Sequence, residues 1–223
     1  MTSILHRLVD CMVDVIDATG PTHPASIATK DIVKNLDLSA LDRPTPSGFD
    51  EAGRLDEPLT LMQCDPRADI RALGAAVAEA RPYFPWIVDK ATFYPAGSDL
   101  GDGYLGTNMN CQIIGPDNAL AYAPDFRMGF FRFGPQVLYR DHAHLAPELY
   151  IPLTGPIDWR FDCGPFERFE SGSLIFHEPH MAHAMMTGDV PFFAMFAWLC
   201  DVHEQIAVVP MDDWGALEAK LNR

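Results

Sequence analysis

Basic residues are scarce in this chain: 16 Lys and Arg stand against 31 Asp and Glu, for a formal net charge of −15. So few cations argue against a nucleic-acid binder and against a protein that clings to anionic lipid, because both need clustered Lys and Arg to meet phosphate. Paired cysteine spacing is also missing. The five cysteines (Cys11, Cys64, Cys111, Cys163, Cys200) are odd in number and far apart, and no CxxC occurs. Reduced thiols are expected, not a disulfide framework. No apolar run reaches membrane-spanning length. The opening MTSILHRLVDCMVDVIDATG has no basic start followed by an unbroken apolar stretch, since Asp10, Asp14 and Asp17 interrupt it. It reads as a helix, not a secretory leader, and a cytoplasmic protein is expected. Without a strong cationic field, a neutral or zwitterionic small molecule is the expected ligand.

What is present changes texture near residue 91, and two regions are expected. Residues 1–91 read as helical. Ile4, Leu8, Met12, Val15 and Ile16 fall on one helical face, with Thr2 or Ser3 as N-cap. HPASIATKDIVKNLDLS suggests a second helix, and DRPTPSGFDEAGRLDEP reads as a loop. DPRADIRALGAAVAEARPYF is the strongest helical signal, with Asp65 expected to cap it, Pro66 in its first turn, and Pro82 and Pro85 ending it. Residues 92–223 carry short apolar and aromatic runs separated by Gly, Pro, Asp and Asn, the pattern of a sandwich or barrel, followed by a short C-terminal helix in MDDWGALEAKLNR. The expected class is therefore α+β, helices first and an antiparallel β body after.

Within that body, YRDHAHLAPELYIPLTG places His142, His144, Glu148 and Tyr150 within nine residues. On a strand, residues two apart share a face, so His142 with His144, and Glu148 with Tyr150, form two same-face pairs separated by a turn or bulge at residues 145–147. Two imidazoles and a carboxylate on one face form most of a metal site. A further ligand is sought in GSLIFHEPHMAH, which holds His177, His180 and His183. Zinc, iron, manganese, nickel or cobalt would suit such a set.

These spacings resemble the cupin superfamily, small antiparallel β-barrels that carry one divalent metal. Gly134, His142, His144, Glu148 and Gly155 match the first cupin motif, although seven residues separate Gly134 from His142 where the family has five. Gly172 and His183 match the ends of the second motif, while Glu178 and His180 occupy the places of its internal Pro and Gly, so His180 stays a rival to His183. HxHxxxExY, with Tyr139 five residues before the second histidine, resembles more narrowly the cupin dimethylsulfoniopropionate (DMSP) lyases, and in length and helical N-terminal part the DddL type. The resemblance implies cleavage of DMSP to dimethyl sulfide and acrylate. It implies His142, His144, Glu148 and His183 as ligands of a divalent ion, zinc or iron favoured, and active-site positions for Tyr139 and Tyr150.

Such chemistry requires loss of a proton alpha to the carboxylate. Tyr150 is the first choice of base, being two residues from Glu148; Tyr139 is second, because strict alternation turns it away from His142 unless the strand bends. The sulfonium is a soft cation suited to aromatic faces, and Phe131, Phe133, Trp159 and Trp198 are the candidates. The same ligands serve cupin iron dioxygenases and metal isomerases, and a non-catalytic, metal-stabilised binding module is a third possibility. Cupins often pair, so a homodimer is compatible with the chain.

Overall fold

The computed structural model describes residues 3–221; Thr2, one of the two cap candidates, lies outside them. The helices come first: α1 Ile4–Thr19, α2 Pro24–Lys34, α3 Asp56–Cys64 and α4 Ala68–Ala80, then a short α5 Asp102–Thr107. Ser3 caps α1, its Oγ accepting from the His6 amide at 3.2 Å. Leu5, Leu8, Val9, Met12, Val15 and Ile16 form the buried face of that helix.

Two sequence expectations need correction here. Asp56–Cys64 is helical although its first turn, including Pro58, reads as loop; proline is tolerated there because first-turn amides have no intrahelical acceptor. Asp65 does not cap α4, and Pro66 lies before its first turn. Asp65 ends α3, and its Oδ1 accepts from the Arg67 amide at 2.8 Å in a tight side-chain turn, which delays α4 to Ala68.

The strands are β1 Met109–Gly115, β2 Ala119–Tyr122, β3 Arg127–Phe133, β4 Leu138–Ala143, β5 Glu148–Pro152, β6 Ile157–Phe161, β7 Phe166–Phe169, β8 Ile175–His177, β9 His183–Thr187, β10 Phe192–Trp198 and β11 Ala207–Val208, followed by α6 Trp214–Glu218. They form a six-stranded sheet ordered β2-β1-β3-β10-β5-β8 and a five-stranded sheet ordered β11-β4-β9-β6-β7. The α+β class is as expected, but the barrel is not closed. Among the described residues no strand pairing joins one sheet to the other, and all pairs are antiparallel except β1 with β2.

Alternation along the strands separates two cores. On the outer face of the six-stranded sheet, Cys111, Ile113, Phe130, Leu149, Ile151, Phe193 and Met195 pack with Leu8, Met12, Leu73 and Val77 of α1 and α4 in one buried cluster. The N-terminal helices therefore back this sheet and do not stand over the mouth of a barrel. Each large apolar side chain so buried contributes about 1.5–3 kcal/mol, an upper figure because unfolded chains bury some surface too. The inner faces of both sheets meet in a second cluster containing Phe131, Phe133, Tyr139, Tyr150, Trp159, Phe192 and Trp198. Gly172 turns the chain into β8 with φ +74°, and its carbonyl accepts from Arg67 at 2.7 Å, tying the helical part to the sheet edge.

Candidate functional site

β4 and β5 belong to different sheets. The bend at residues 144–147 carries the chain from one to the other, so the two same-face pairs of the motif end up facing each other across the interior. Glu148 stands in register with Trp198 of β10 on one side and His177 of β8 on the other. Both neighbours bind it: Trp198 Nε1–H donates to Oε1 at 2.6 Å, and His177 Nδ1 lies 3.3 Å from Oε2. His183 of β9 pairs directly with His142 of β4.

The register between β4 and β9 slips by one residue between Tyr139 and His142. This bulge sends two successive side chains outward. Arg140 lies over the Trp214 ring at 4.8 Å and pairs with Glu218, while Asp141 accepts from Trp214 Nε1–H at 2.8 Å and pairs with Arg160. Tyr139 and His142, three residues apart, can then both point inward, their rings stacked at 4.1 Å. The bend on which an inward Tyr139 depended is present.

The ring nitrogens say what this arrangement can hold. Nδ1 of His142, His144 and His183 lies at 2.8, 2.8 and 3.0 Å from the carbonyls of Arg140, Ala146 and Met181. A carbonyl only accepts, so each neutral ring carries its proton on Nδ1 and turns a lone pair outward from Nε2. Two of those Nε2 atoms face one carboxylate oxygen: Glu148 Oε2 is 3.1 Å from His144 Nε2 and 3.5 Å from His183 Nε2. The His183 Nε2 is buried with no hydrogen-bond partner. Acceptors converging without a hydrogen between them repel one another unless a positive charge sits among them, and backbone-anchored imidazoles are the usual preparation for a metal ion. Ligand atoms of His144, Glu148 and His183 all lie within 4.8 Å of one another. His142 falls outside that tight set, although its ring centroid is 4.1 Å from that of His183.

Burial shapes the charges. It drives His142 down to about 3 and His183 well below its ordinary value, the neighbouring imidazoles adding to the second shift. Burial raises the Glu148 carboxyl, but the His144 and His177 rings beside it outweigh burial and hold it far below the usual range. His142 and His183 are thus neutral imidazoles beside an ionised carboxylate, the forms that bind a cation.

A cavity opens beside these donors, with about 60 Å³ available to the centre of a water-sized sphere, room for several waters or one small ligand. Tyr139 and Tyr150 both line it, with His142, His144 and Glu148. Burial raises both phenols. For Tyr150 the Glu148 charge adds to the shift, whereas hydrogen bonds from Tyr94 and Tyr104 partly offset it for Tyr139. Tyr139 shares a hydrogen bond with the Tyr94 hydroxyl and stacks on Tyr104 at 4.2 Å, whose hydroxyl donates to buried Asp89 at 2.9 Å.

Of the expected aromatic contacts, Phe131 and Trp198 line the cavity; Phe133 and Trp159 do not. Phe133 lies deeper on β3, stacked on Phe192 at 4.8 Å, and Trp159 spends its indole N–H on His177 Nε2 at 2.9 Å. His180, the rival ligand, sits exposed on a loop at φ +62°. The sequence gives no role to Phe93, Tyr104 and Arg127, which stand on the cavity wall, and does not show that His177 holds Glu148. Inward alternation with Phe131 signals Arg127, and Ile175 with His177 is a same-face strand pair; nothing local signals Phe93, which lies outside the strands.

Residues 54–194, more than half of the chain, match the family model for dimethylsulfoniopropionate lyase. The DMSP lyase DddQ of Ruegeria pomeroyi is 29% identical over 149 residues, 65% of this chain and 71% of that one. A chain named for the DddL lyase of Cereibacter sphaeroides is 32% identical over 90 residues, 40% of this chain and 37% of that one. The DddQ match therefore spans more of the chain than the DddL match. The crystal structure of R. pomeroyi DddQ superposes with a TM-score of 0.60 at 21% identity, covering 91% of this chain and 96% of that one. A chain from the crystal structures of the DMSP lyases RdDddP and RnDddQII gives 0.65 at 20% identity, with 93% and 98% covered. These superpositions show a shared fold over nearly the whole chain.

Proposed function

The chain belongs to the dimethylsulfoniopropionate lyase family, a family of carbon–sulfur lyases, and from that premise we propose that it cleaves DMSP to dimethyl sulfide and acrylate by alpha-proton abstraction and β-elimination, with a tyrosine as base and one divalent metal ion at the donor cluster. The observation that carries the reading is the convergence of three hydrogen-free acceptors, His144 Nε2, His183 Nε2 and Glu148 Oε2, beside a cavity lined by two phenols.

In this reading His142, His144, Glu148 and His183 hold the ion, while His177 and Trp198 fix the Glu148 carboxylate from either side. When bound, the ion supplies positive charge that lowers the proton affinity of a nearby phenol and steadies negative charge developing on the substrate. Tyr150 takes the proton alpha to the substrate carboxylate. The C–H electron pair becomes the carbon–carbon double bond, the bond to sulfur breaks, and its pair leaves with neutral dimethyl sulfide. Tyr150 is preferred because it lies two residues from Glu148 on β5 and lines the cavity, whereas the Tyr139 hydroxyl is engaged by Tyr94. Tyr139 is assigned to shaping the cavity and, with Phe131, to facing the sulfonium with aromatic surface.

The reading takes residues 1–91 as a helical support for the six-stranded sheet and residues 92–223 as the part that carries the chemistry. It is tested by measuring bound metal together with dimethyl sulfide released from DMSP. Metal-replete protein should bind about one divalent ion and release dimethyl sulfide; protein that binds the ion yet releases none above a Tyr150→Phe control refutes the activity.

A further inference from the structure

A half-buried arginine opens onto the same cavity. Arg127 begins β3, where inward alternation with Phe131 directs it to the interior, and it lines the cavity wall. Its guanidinium lies over the Phe93 ring at 5.7 Å and over the Trp198 ring at 5.5 Å. Among the described residues no carboxylate pairs with it, Asp117 acting on it only as a more distant charge, and its buried Nε has no hydrogen-bond partner, as is also true of Arg132, Arg140 and Arg160. The terminal nitrogens of those three find protein partners: Arg132 donates to the Thr107 carbonyl at 3.1 Å. Arg140 is paired with Asp99 and Glu218, and Arg160 with Asp141 and Asp213.

A guanidinium taken partly out of water needs an acceptor, and two aromatic faces supply none for its N–H groups. They do fix its orientation, as preorganisation for a ligand requires. The strand register adds position: Arg127 pairs with Trp198, and Trp198 with Glu148, so one row of inward side chains runs from the unpaired cation to the unprotonated donor cluster. The two ends of that row have opposite needs. The cation-accepting end lacks hydrogens, and the Arg127 end carries N–H groups that no protein acceptor among the described residues receives.

We propose that Arg127 is an anion subsite of this cavity, a guanidinium that hydrogen-bonds a carboxylate oxygen of the bound small molecule and so fixes which way round a zwitterion lies. The subsite deepens the proposed function, resting on it for the identity of the zwitterion, but the carboxylate chemistry is carried by Arg127 alone. Planar N–H groups match a carboxylate, and a sulfonium, which offers no acceptor, is repelled. The residue is a binding and specificity determinant; no proton transfer is assigned to it.

Two measurements test this without turnover, using metal-loaded protein. Acrylate, a carboxylate without a sulfonium, should bind Arg127→Met roughly ten- to a hundredfold more weakly than wild type, the scale of one charge-assisted hydrogen bond, while Arg127→Lys keeps a larger share of the affinity. Trimethylsulfonium, a cation without a carboxylate, should bind the Met variant at least as well as wild type. In unsubstituted protein, acrylate should shield Arg127 from an arginine-selective dicarbonyl, read by peptide mass, and trimethylsulfonium should not. With DMSP as substrate, Arg127→Met should lose kcat/KM mainly through KM. Equal acrylate binding by wild type and Arg127→Met, or modification of Arg127 undiminished by acrylate, overturns the subsite. Acrylate shielding in a protein that never cleaves DMSP upholds the subsite and removes the lyase reading.

Discussion

The two faces of the six-stranded sheet are built by alternate residues of the same strands and have little else in common. On β5, Glu148 and Tyr150 face inward to the donor cluster and the cavity, and Leu149 between them faces outward to the helices. The outer face is largely aliphatic and aromatic, closed by α1 and α4. The inner face keeps an ionised carboxylate, neutral imidazoles and two phenols out of bulk water, with a half-buried guanidinium beside them. The first arrangement is a source of stability. The second is costly to fold, because buried polar groups without full partners are destabilising, and such a cost is usually borne where a ligand completes the set.

Three consecutive residues can break or sharpen this contrast. Glu148→Gln should have the largest effect: a loss of bound metal and at least about a thousandfold in dimethyl sulfide release, since several kcal/mol of charge stabilisation depends on it and each 1.4 kcal/mol is about tenfold. Metal analysis with the activity assay checks this, and a variant that keeps both metal and rate would sink the site assignment. Tyr150→Phe should lower kcat by about 10²–10⁴ with metal content retained, the range for removal of a general base; the same substitution at Tyr139 should cost less. Leu149→Ala should invert the pattern. Stability should fall by about 2–5 kcal/mol in urea titration, while kcat/KM of the folded fraction stays within about twofold.

Acid should also distinguish the faces. In metal-stripped protein His142 titrates near pH 3, against 6.5 for an exposed imidazole, because burial disfavours its charged form. Between those values the unfolded chain takes up a proton that the folded chain refuses, so this contribution is fully present above pH 6.5 and is lost as pH falls toward 3. Glu148, also depressed, acts in the same direction below its ordinary value of 4.5. A shift from 6.5 to about 3 corresponds to a loss on the order of 5 kcal/mol for His142, with the Glu148 part absent in Glu148→Gln, as read from pH-dependent urea midpoints. The smallest effect belongs to the helical layer: Ser3→Ala removes the cap of α1 and should cost about 1 kcal/mol with no change in KM.

Much of this was legible in the chain. Apolar spacing gave α1 and α4, and turn residues marked the strands. The two-residue offsets within His142, His144, Glu148 and Tyr150 gave the inward pairs because alternation is a local property. What stayed hidden depended on pairing between distant strands. Nothing near Tyr139 announces the one-residue slip against β9 that turns it inward; it is visible only with β9 alongside and α6 holding Arg140 and Asp141 outside. The link between His177 and Glu148 and the isolation of Arg127 are likewise facts of register. The closed barrel failed as an expectation because strand content does not determine whether edges meet.

That open architecture has a mechanical corollary. Among the described residues no ladder of backbone hydrogen bonds runs from one sheet to the other, so an ion held by the histidines of β9 and of the β4 end and by the glutamate of β5 would join the halves much as a rivet joins two plates. Loading the centre should damp the breathing of the halves against each other, so that amide deuterium uptake in β5 and β9 slows in step while α1 exchanges as before.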